Sequence, residues 1–348
     1  MMIHLMSSES RKGFDLYNIL RKKGVEVALY SSKNLLVRLI LTTIYLREVR
    51  PYSRLCKIQR GRILGVEESD IVFLYDQDLD RFGDLPSQNV FENMRDKFEL
   101  ASLLQEVGLN YPTTRRLEEA RSGDFEGRVF LKPRWGMGAE GVKPYNSLND
   151  LLSDIAKRSL KNYIVQEAVN SNSNITSSCM FCRNGNILSY YSHKRLVTFP
   201  EGDGVSVVSK SFSDPAIFEL SQRLVTNTCF SGFIMIEFLY DLEQQSYYVI
   251  EINPRPWGSI LLSEVCESNL IASYLTYESS VAKVKECYVK WPFPHLFLRL
   301  LKGHNDFKKY SDAVSGYVNF TYSSVWRSML FIIFFSLNFS KVYKKLWR

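Results

Sequence analysis

Apolar and polar positions along this chain change period several times, and each change marks an element. Over 1–80 a helical spacing at 14–23 alternates with two short β-rich runs, VEVALY at 25–30 and IVFLYD at 71–76, which predicts a small α/β domain. A helical pattern then covers 89–107 and stops at Gly108, and an extended segment is expected at 111–117, where Pro112 disfavours helix in the residue before it. Further strands are predicted for RVFLKP (128–133), YIVQEAV (163–169), 177–182 and 187–193, with a helix at 148–159 and a glycine-punctuated loop, RWGMGAEGV, at 134–142. The later strands suggest an antiparallel sheet. No internal repeat or long linker interrupts them.

The segment GFIMIEFLYDLEQQSYYVIEINPRPWG at 232–258 carries the most information. Two runs rich in β-branched and aromatic residues, 234–238 and 247–253, flank a polar turn, which is the signature of a hairpin. A turn symmetric about Gln244 sets Glu237 opposite Glu251. The side-chain period of two then places Met235, Glu237, Glu251 and Asn253 on one face and Ile234, Ile236, Phe238, Ile250 and Ile252 on the other. Opposed carboxylates repel unless a cation lies between them. Carboxylate and amide oxygens suit Mg²⁺, which takes one or two protein carboxylates and completes its shell with water and phosphate. Solvated acids on an ordinary amphipathic hairpin are the competing reading. Against it, Asn253 and Arg255 continue the same polar face, and Pro254 and Pro256 stiffen the strand exit.

Lys132 ends a predicted strand and precedes Gly136, Gly138 and Gly141, a loop whose backbone N–H groups can approach an anion without side-chain hindrance. The spacing is neither GxxxxGK[ST] nor GxGxxG opening a helix, so the P-loop and dinucleotide folds are poor matches. Six cysteines include one C-x-x-C, Cys179 and Cys182, with no second Cys/His pair at zinc spacing. They read as reduced, buried thiols of a cytoplasmic protein.

Taken in order, DKFELASLLQEVGLNYPT, VFLKPRWGMGAEGV, YIVQEAV, and IEF followed by EINPRPWG make the chain resemble the ATP-grasp superfamily, most closely its carbamoyl-phosphate-synthetase-like carboxylate–amine ligases. The resemblance covers roughly 96–263. It implies an α/β N-terminal domain (1–95) before an α+β ATP-grasp fold (96–275), whose two subdomains (96–165 and 166–275) clasp ATP between antiparallel sheets. A C-terminal helical extension (276–348) would follow.

Residue by residue, the resemblance implies that Lys97 and Lys132 hold ATP phosphates under the loop of Gly136, Gly138 and Gly141. Glu167 to Val169 would be the hinge that reads the adenine edge, with the Val169 N–H as donor. Glu237, Glu251 and Asn253 would bind one or two Mg²⁺ ions, for which Mn²⁺ can substitute. Arg255 would stabilise the transferring phosphoryl group. Arg195, in the basic stretch HKRLVTFPEGDGVSVVSKS at 193–211, is the candidate contact for an acceptor carboxylate. Where relatives often place an acid for the ribose hydroxyls, this chain has Asn172 and Asn174, and the ribose contact is unassigned. His193 shares the strand face of Arg195, but a single histidine does not name a base.

The implied chemistry is amide formation: a carboxylate attacks the γ-phosphate of ATP, and an amine displaces phosphate from the acyl phosphate. A kinase-like phosphoryl transfer and a non-catalytic nucleotide-binding module are the rival readings. The formal charge of +7 fits phosphate handling, because the cations are scattered rather than gathered for nucleic acid. Small-molecule carboxylates and amines are therefore the expected partners. Free amino acids are one substrate class; a uronic acid of a nucleotide sugar or surface polysaccharide is another, for which Trp135 or Trp257 would be stacking platforms. The apolar run MLFIIFF at 329–335, followed by Lys341, Lys344, Lys345 and Arg348, is too short to span a bilayer. It reads either as a helix packed on the body or in a homodimer, or as a membrane-surface helix at the inner face of the membrane.

Overall fold

A computed structural model describes residues 1–136, 141–155, 161–171, 174–199, 205–280, 284–291, 303, 305 and 309–315. Gly138, Asn172 and the 325–348 segment lie outside them. The N-terminal part contains β1 (Met2–Leu5), α1 (Arg11–Lys22), β2 (Glu26–Ser31), α2 (Leu35–Tyr45), β3 (Val49–Pro51), β4 (Arg62–Leu64) and α3 (Glu68–Asp76). Its four strands form a parallel sheet in the order β3-β2-β1-β4. The chain reverses direction across the sheet between β1 and β4, so the loops after those two strands open a crevice where ligands of such sheets bind.

The expected strand at 71–76 is helix α3 instead. Its start is fixed by polar capping: the Asp70 carboxylate accepts from the backbone N–H groups of Val66 and Glu67, each at 2.9 Å. Those bonds select the helix, and Ile71 and Leu74 bury on one face of it. The single helix expected over 89–107 is two, α4 (Gln88–Arg95) and α5 (Glu99–Glu106). Asp96 breaks them by turning extended and giving its carboxylate to the Phe98 N–H.

A second sheet, antiparallel, holds β5 (Thr114–Arg116), β6 (Val129–Pro133), β7 (Lys143–Tyr145) and β8 (Tyr163–Glu167) in the order β5-β8-β6-β7, with α6 (Leu148–Ile155) against it. The third sheet carries β9 (Thr176–Arg183), β10 (Asn186–Phe199), β11 (Val205–Phe212), β12 (Gly232–Asp241) and β13 (Ser246–Asn253), with α7 (Pro215–Asn227) between β11 and β12. After α8 (Leu261–Val265) and α9 (Leu270–Thr276), β14 (Tyr288–Lys290) and β15 (Val314–Ser315) extend it to seven strands, ordered β13-β12-β9-β10-β11-β14-β15. The described part of 276–348 thus contributes strands to the main sheet rather than the expected helical extension. Among the described residues no helix is long and apolar enough to cross a membrane.

The fold is an α/β domain joined to an α+β body, as expected, but the two share one core. Ile3, Leu5 and Phe14 from the N-terminal part, Phe181 and Phe233 from the large sheet, and Trp257, Tyr274 and Trp291 beyond it form a continuous buried cluster. The opposite face of the large sheet packs on α4, α5 and α7 through Met180, Cys182, Ile234, Ile236 and Phe238. Cys179 and Cys182 therefore point to opposite sides of β9, each a free, buried thiol whose pKa is raised by burial.

Candidate functional site

The hairpin β12–β13 forms with Glu237 opposite Glu251 and Met235 opposite Asn253. Glu237 also pairs with Ser177 on β9, and Ser177 with His193 on β10, so a polar row crosses the sheet from Glu251 to His193. One face differs from expectation. A register shift between Glu237 and Phe238 pairs Phe238 with Val249, so Val249 takes the core position. Ile250 is the extra residue of this β-bulge and lines the cleft beside Leu239 instead of joining the core.

Above this row lies a cleft of about 460 Å³, bounded by the two antiparallel sheets and the helix starts of the N-terminal domain. The four-stranded antiparallel sheet supplies Lys132 and Gln166, the large sheet Arg195 and the acidic pair, and the N-terminal domain Ser10, Arg11, Lys12 and Glu67. Glu167 and Val169, at the crossing between the two antiparallel sheets, line it as well.

Lys97 sits at the break between α4 and α5. The Arg134 guanidinium grips the Asp96 carboxylate at 3.1 and 2.5 Å, and the Lys97 N–H donates to the Arg134 carbonyl at 3.1 Å. The kink thereby fixes the Lys97 amine, which donates to the Gly136 carbonyl at 3.1 Å and lies 3.4 Å from Glu251 Oε1. Gly136 holds φ +136°, a conformation that L-residues with side chains rarely adopt, and so presents that carbonyl. Lys132 donates to Gln166 Oε1 at 2.6 Å, and Gln166 in turn donates to Thr114 Oγ1 at 3.0 Å.

The carboxylates are buried among cations. Burial and then the neighbouring Glu251 raise the Glu237 pKa, opposed by Arg195, whose guanidinium donates to Glu237 Oε1. Burial works the same way on Glu251, but Lys97, Arg195, Arg255 and Lys132 outweigh it and hold its pKa down. Arg195 thus faces the acidic pair in this structure rather than an open acceptor surface. Arg255 donates to Asn253 Oδ1 at 2.5 Å and lies 3.4 Å from Glu68 Oε1, which begins α3 in the N-terminal domain.

Two carboxylates and an amide oxygen on one face, unfavourable together without positive charge, fit Mg²⁺ with water and phosphate completing its shell. Among the described residues no group of three or more His, Cys, Asp or Glu side chains converges. A closed all-protein metal cage is thus not found among them.

Several lining residues carried no sequence signal. Lys12, buried, pairs with Glu67 at 2.7 Å and donates to the Pro256 carbonyl at 3.3 Å; burial and Arg255 lower its pKa to about 8. Arg11 donates to the Gly258 carbonyl at 2.8 Å. His193 meets Ser259 Oγ at 3.0 Å, and burial, followed by Arg195, lowers its pKa to about 3, which keeps it neutral. Trp257 is fully buried and donates to the Tyr191 hydroxyl at 2.9 Å, so it packs the floor and offers no stacking face. Trp135 is 38% exposed, with the Arg134 guanidinium 4.7 Å from its ring centre.

Residues 94–259 match the family model described as the ATP-grasp domain. The chain carries an ATP-grasp domain. The fold likeness extends beyond it. N5-carboxyaminoimidazole synthetase from Staphylococcus aureus, complexed with ADP, superposes with a TM-score of 0.65 at 14% identity, over 89% of this chain and 86% of that one. L-amino acid ligase from Bacillus licheniformis gives 0.58 at 15% identity, over 79% and 74%. The biotin carboxylase domain of 2-oxoglutarate carboxylase from Hydrogenobacter thermophilus, in complex with MgADP, ADP and bicarbonate, gives 0.62 at 12% identity, over 82% and 73%. No curated protein sequence matches. In the ATP-grasp domain of this chain, Lys97, Lys132, Glu237, Glu251, Asn253 and Arg255 meet in one cleft with the strand crossing at Glu167 and Val169.

Proposed function

We propose that the protein is an ATP-dependent carboxylate–amine ligase that forms an amide through an acyl phosphate, releasing ADP and phosphate. The observation that carries this reading is the two-sidedness of the cleft. Lys97, Lys132 and the acidic pair line one part, and Arg11 and Lys12, the first residues of α1, line the cleft together with Arg255. The first side suits Mg²⁺–ATP. The second leaves cationic groups and the Ser259 hydroxyl for an anionic acceptor in the sheet crevice.

In this reading Glu237, Glu251 and Asn253 hold Mg²⁺, which, when bound, neutralises the phosphate oxygens. Lys97 and Lys132 bind the β- and γ-phosphates, and Val169 offers its N–H to the adenine edge. Arg255 stands between nucleotide and acceptor, fixed by Asn253 and Glu68, where it can bind the phosphoryl group as it passes to the carboxylate. The chain's contribution is orientation and charge neutralisation. The amine displaces phosphate, and its proton leaves on the departing phosphate or a carboxylate.

The carboxylate is an amino acid or a uronic acid, with the location cytoplasmic. Burial of Trp257 removes one of the two stacking platforms that the uronic-acid reading would use. The test is phosphate release from ATP across paired carboxylates and amines. Release that requires both supports the ligase, whereas ADP formation indifferent to every amine would identify a phosphoryl transferase. Failure to bind ATP at all would leave neither enzyme reading standing.

A further inference from the structure

Helix α2 breaks the usual rule for a surface helix. Its sequence, LLVRLILTTIY, is apolar but for Arg38, Thr42 and Thr43, a composition that normally means burial on most sides. One face does bury: Leu41, Ile44 and Tyr45 pack into the shared core. The other does not. Leu35 is 63% exposed, Leu36 68%, Leu39 55% and Ile40 37%, and Leu46, which caps the helix in a left-handed conformation, is 68% exposed. These five account for most of the chain's exposed large hydrophobic side chains among the described residues, and on one short helix only Thr43 interrupts them. Scattered exposed leucines need no explanation; a contiguous stripe does.

The rim of the stripe decides among occupants. Lys33, Arg38 and Arg47 flank it, and no acid occurs from Val27 through Arg47. The first acid beyond, Glu48, is paired with Arg50 at 2.9 Å and Arg54 at 3.3 Å. A second copy of this helix would bring like-charged rims together. A face about 16 Å long and about 10 Å wide, set by the dimensions of an eleven-residue helix, also falls well short of the roughly 800 Å² per partner of a stable interface. An anionic lipid surface meets neither objection. It accepts an apolar stripe of any length at the depth of the acyl boundary and attracts a cationic rim.

We propose that α2 is a membrane-docking element, inserting Leu35, Leu36, Leu39, Ile40 and Leu46 into an anionic bilayer surface while Lys33, Arg38 and Arg47 contact lipid phosphates. The proposal does not depend on the ligase reading. Docking through α2 is separate from any contact made by the 329–335 segment.

The test is vesicle flotation of the full chain with phosphatidylcholine vesicles, with and without phosphatidylglycerol. Wild type is expected to float with the anionic vesicles only. Leu36→Glu/Leu39→Glu, at exposed positions that do not enter the core, should cut the bound fraction at fixed lipid by about tenfold or more. Its circular dichroism and ATP binding should be unchanged. Lys33→Gln/Arg47→Gln should weaken binding and flatten its salt dependence. Equal flotation of wild type and the leucine double variant would overturn the proposal, as would equal binding to neutral and anionic vesicles. A wild-type dimer that the leucine variant converts to monomer, seen by light scattering, would assign the face to a second copy instead.

Discussion

Arg195 can be separated from its expected role by one substitution. It was read from sequence as a contact for the acceptor carboxylate, yet its guanidinium lies against Glu237. Arg195→Met keeps much of the side-chain stem and removes the charge. Glu237 and Glu251, opposed across β12 and β13, then keep Lys97, 3.4 Å from Glu251, and Arg255 as counter-ions. Removing one partner of a buried ion pair costs about 3–5 kcal/mol, and the surviving cations argue for the lower end. With about 2.1 cal/mol/K of unfolding entropy per residue, a chain of 348 residues shifts by roughly 1.4 °C per kcal/mol, so the metal-free variant should melt about 4 °C below wild type.

Mg²⁺ should reverse much of this deficit, because a divalent ion replaces the missing positive charge. Ligand at a hundred times its Kd stabilises by about 2.7 kcal/mol, close to the expected loss. The assay is differential scanning calorimetry with and without Mg²⁺, together with titration calorimetry of Mg²⁺ into protein without nucleotide. The variant should bind the ion more tightly than wild type, since Mg²⁺ no longer competes with the guanidinium. If Arg195→Met melts with wild type in the absence of metal and binds Mg²⁺ no better, the counter-ion argument is wrong. A rise confined to the KM for the carboxylate would then return Arg195 to the acceptor.

Glu251→Gln should lower ATP turnover by about two to three orders of magnitude while leaving the fold intact by circular dichroism, since the developing phosphoryl charge loses its anchoring ion. Trp257→Ala should destabilise the protein by about 3–5 kcal/mol through the cavity it leaves in the shared core, measured by chemical denaturation. Asp15, buried on α1, has its pKa raised to about 7, chiefly by burial, with Arg11 and Trp291 opposing. A raised carboxyl pKa means the native state holds the proton longer than the unfolded chain, so stability should fall as pH rises from about 4 through 7. Asp15→Asn should remove that slope, worth roughly 4 kcal/mol at most, in denaturation midpoints taken across that range.

Local chemistry made the acidic half of the cleft legible. The pairing of Glu237 with Glu251 follows from the period of two and a short turn, both of which lie within twenty residues. Even there, one inserted residue moved Ile250 to the other face, because hydrophobicity does not say where a bulge falls: Val249 and Ile250 are equally apolar. The strand expected at 71–76 failed for a related reason. IVFLYD has strand composition, and its helical state is set by Asp70 capping the two N–H groups before it, a bond that outweighs a weak β preference. The single helix expected over 89–107 hid the break that aims Lys97, since Asp96 looks like any surface acid until Arg134, nearly forty residues later, closes on it.

The part of the cleft beside the N-terminal domain was illegible because it is built by long-range contacts. Lys12 meets Glu67 and the Pro256 carbonyl, Arg11 meets the Gly258 carbonyl, and Arg255 meets Glu68; all but the first of these join residues more than 180 apart in the chain. Each of these residues, taken alone, is a charged group in a polar stretch. Their joint effect is that the loop 253–258, which leads out of β13, is held to the N-terminal domain by three cations. Any shift of Arg255 would therefore be felt at Glu68 and, through the loop and Lys12, at Glu67. The same arrangement explains why the two domains share a core rather than meeting across a linker: Trp257, within that loop, and Ile260, just after it, join the buried cluster of Phe14 and Leu16 on α1, whose first residues line the cleft.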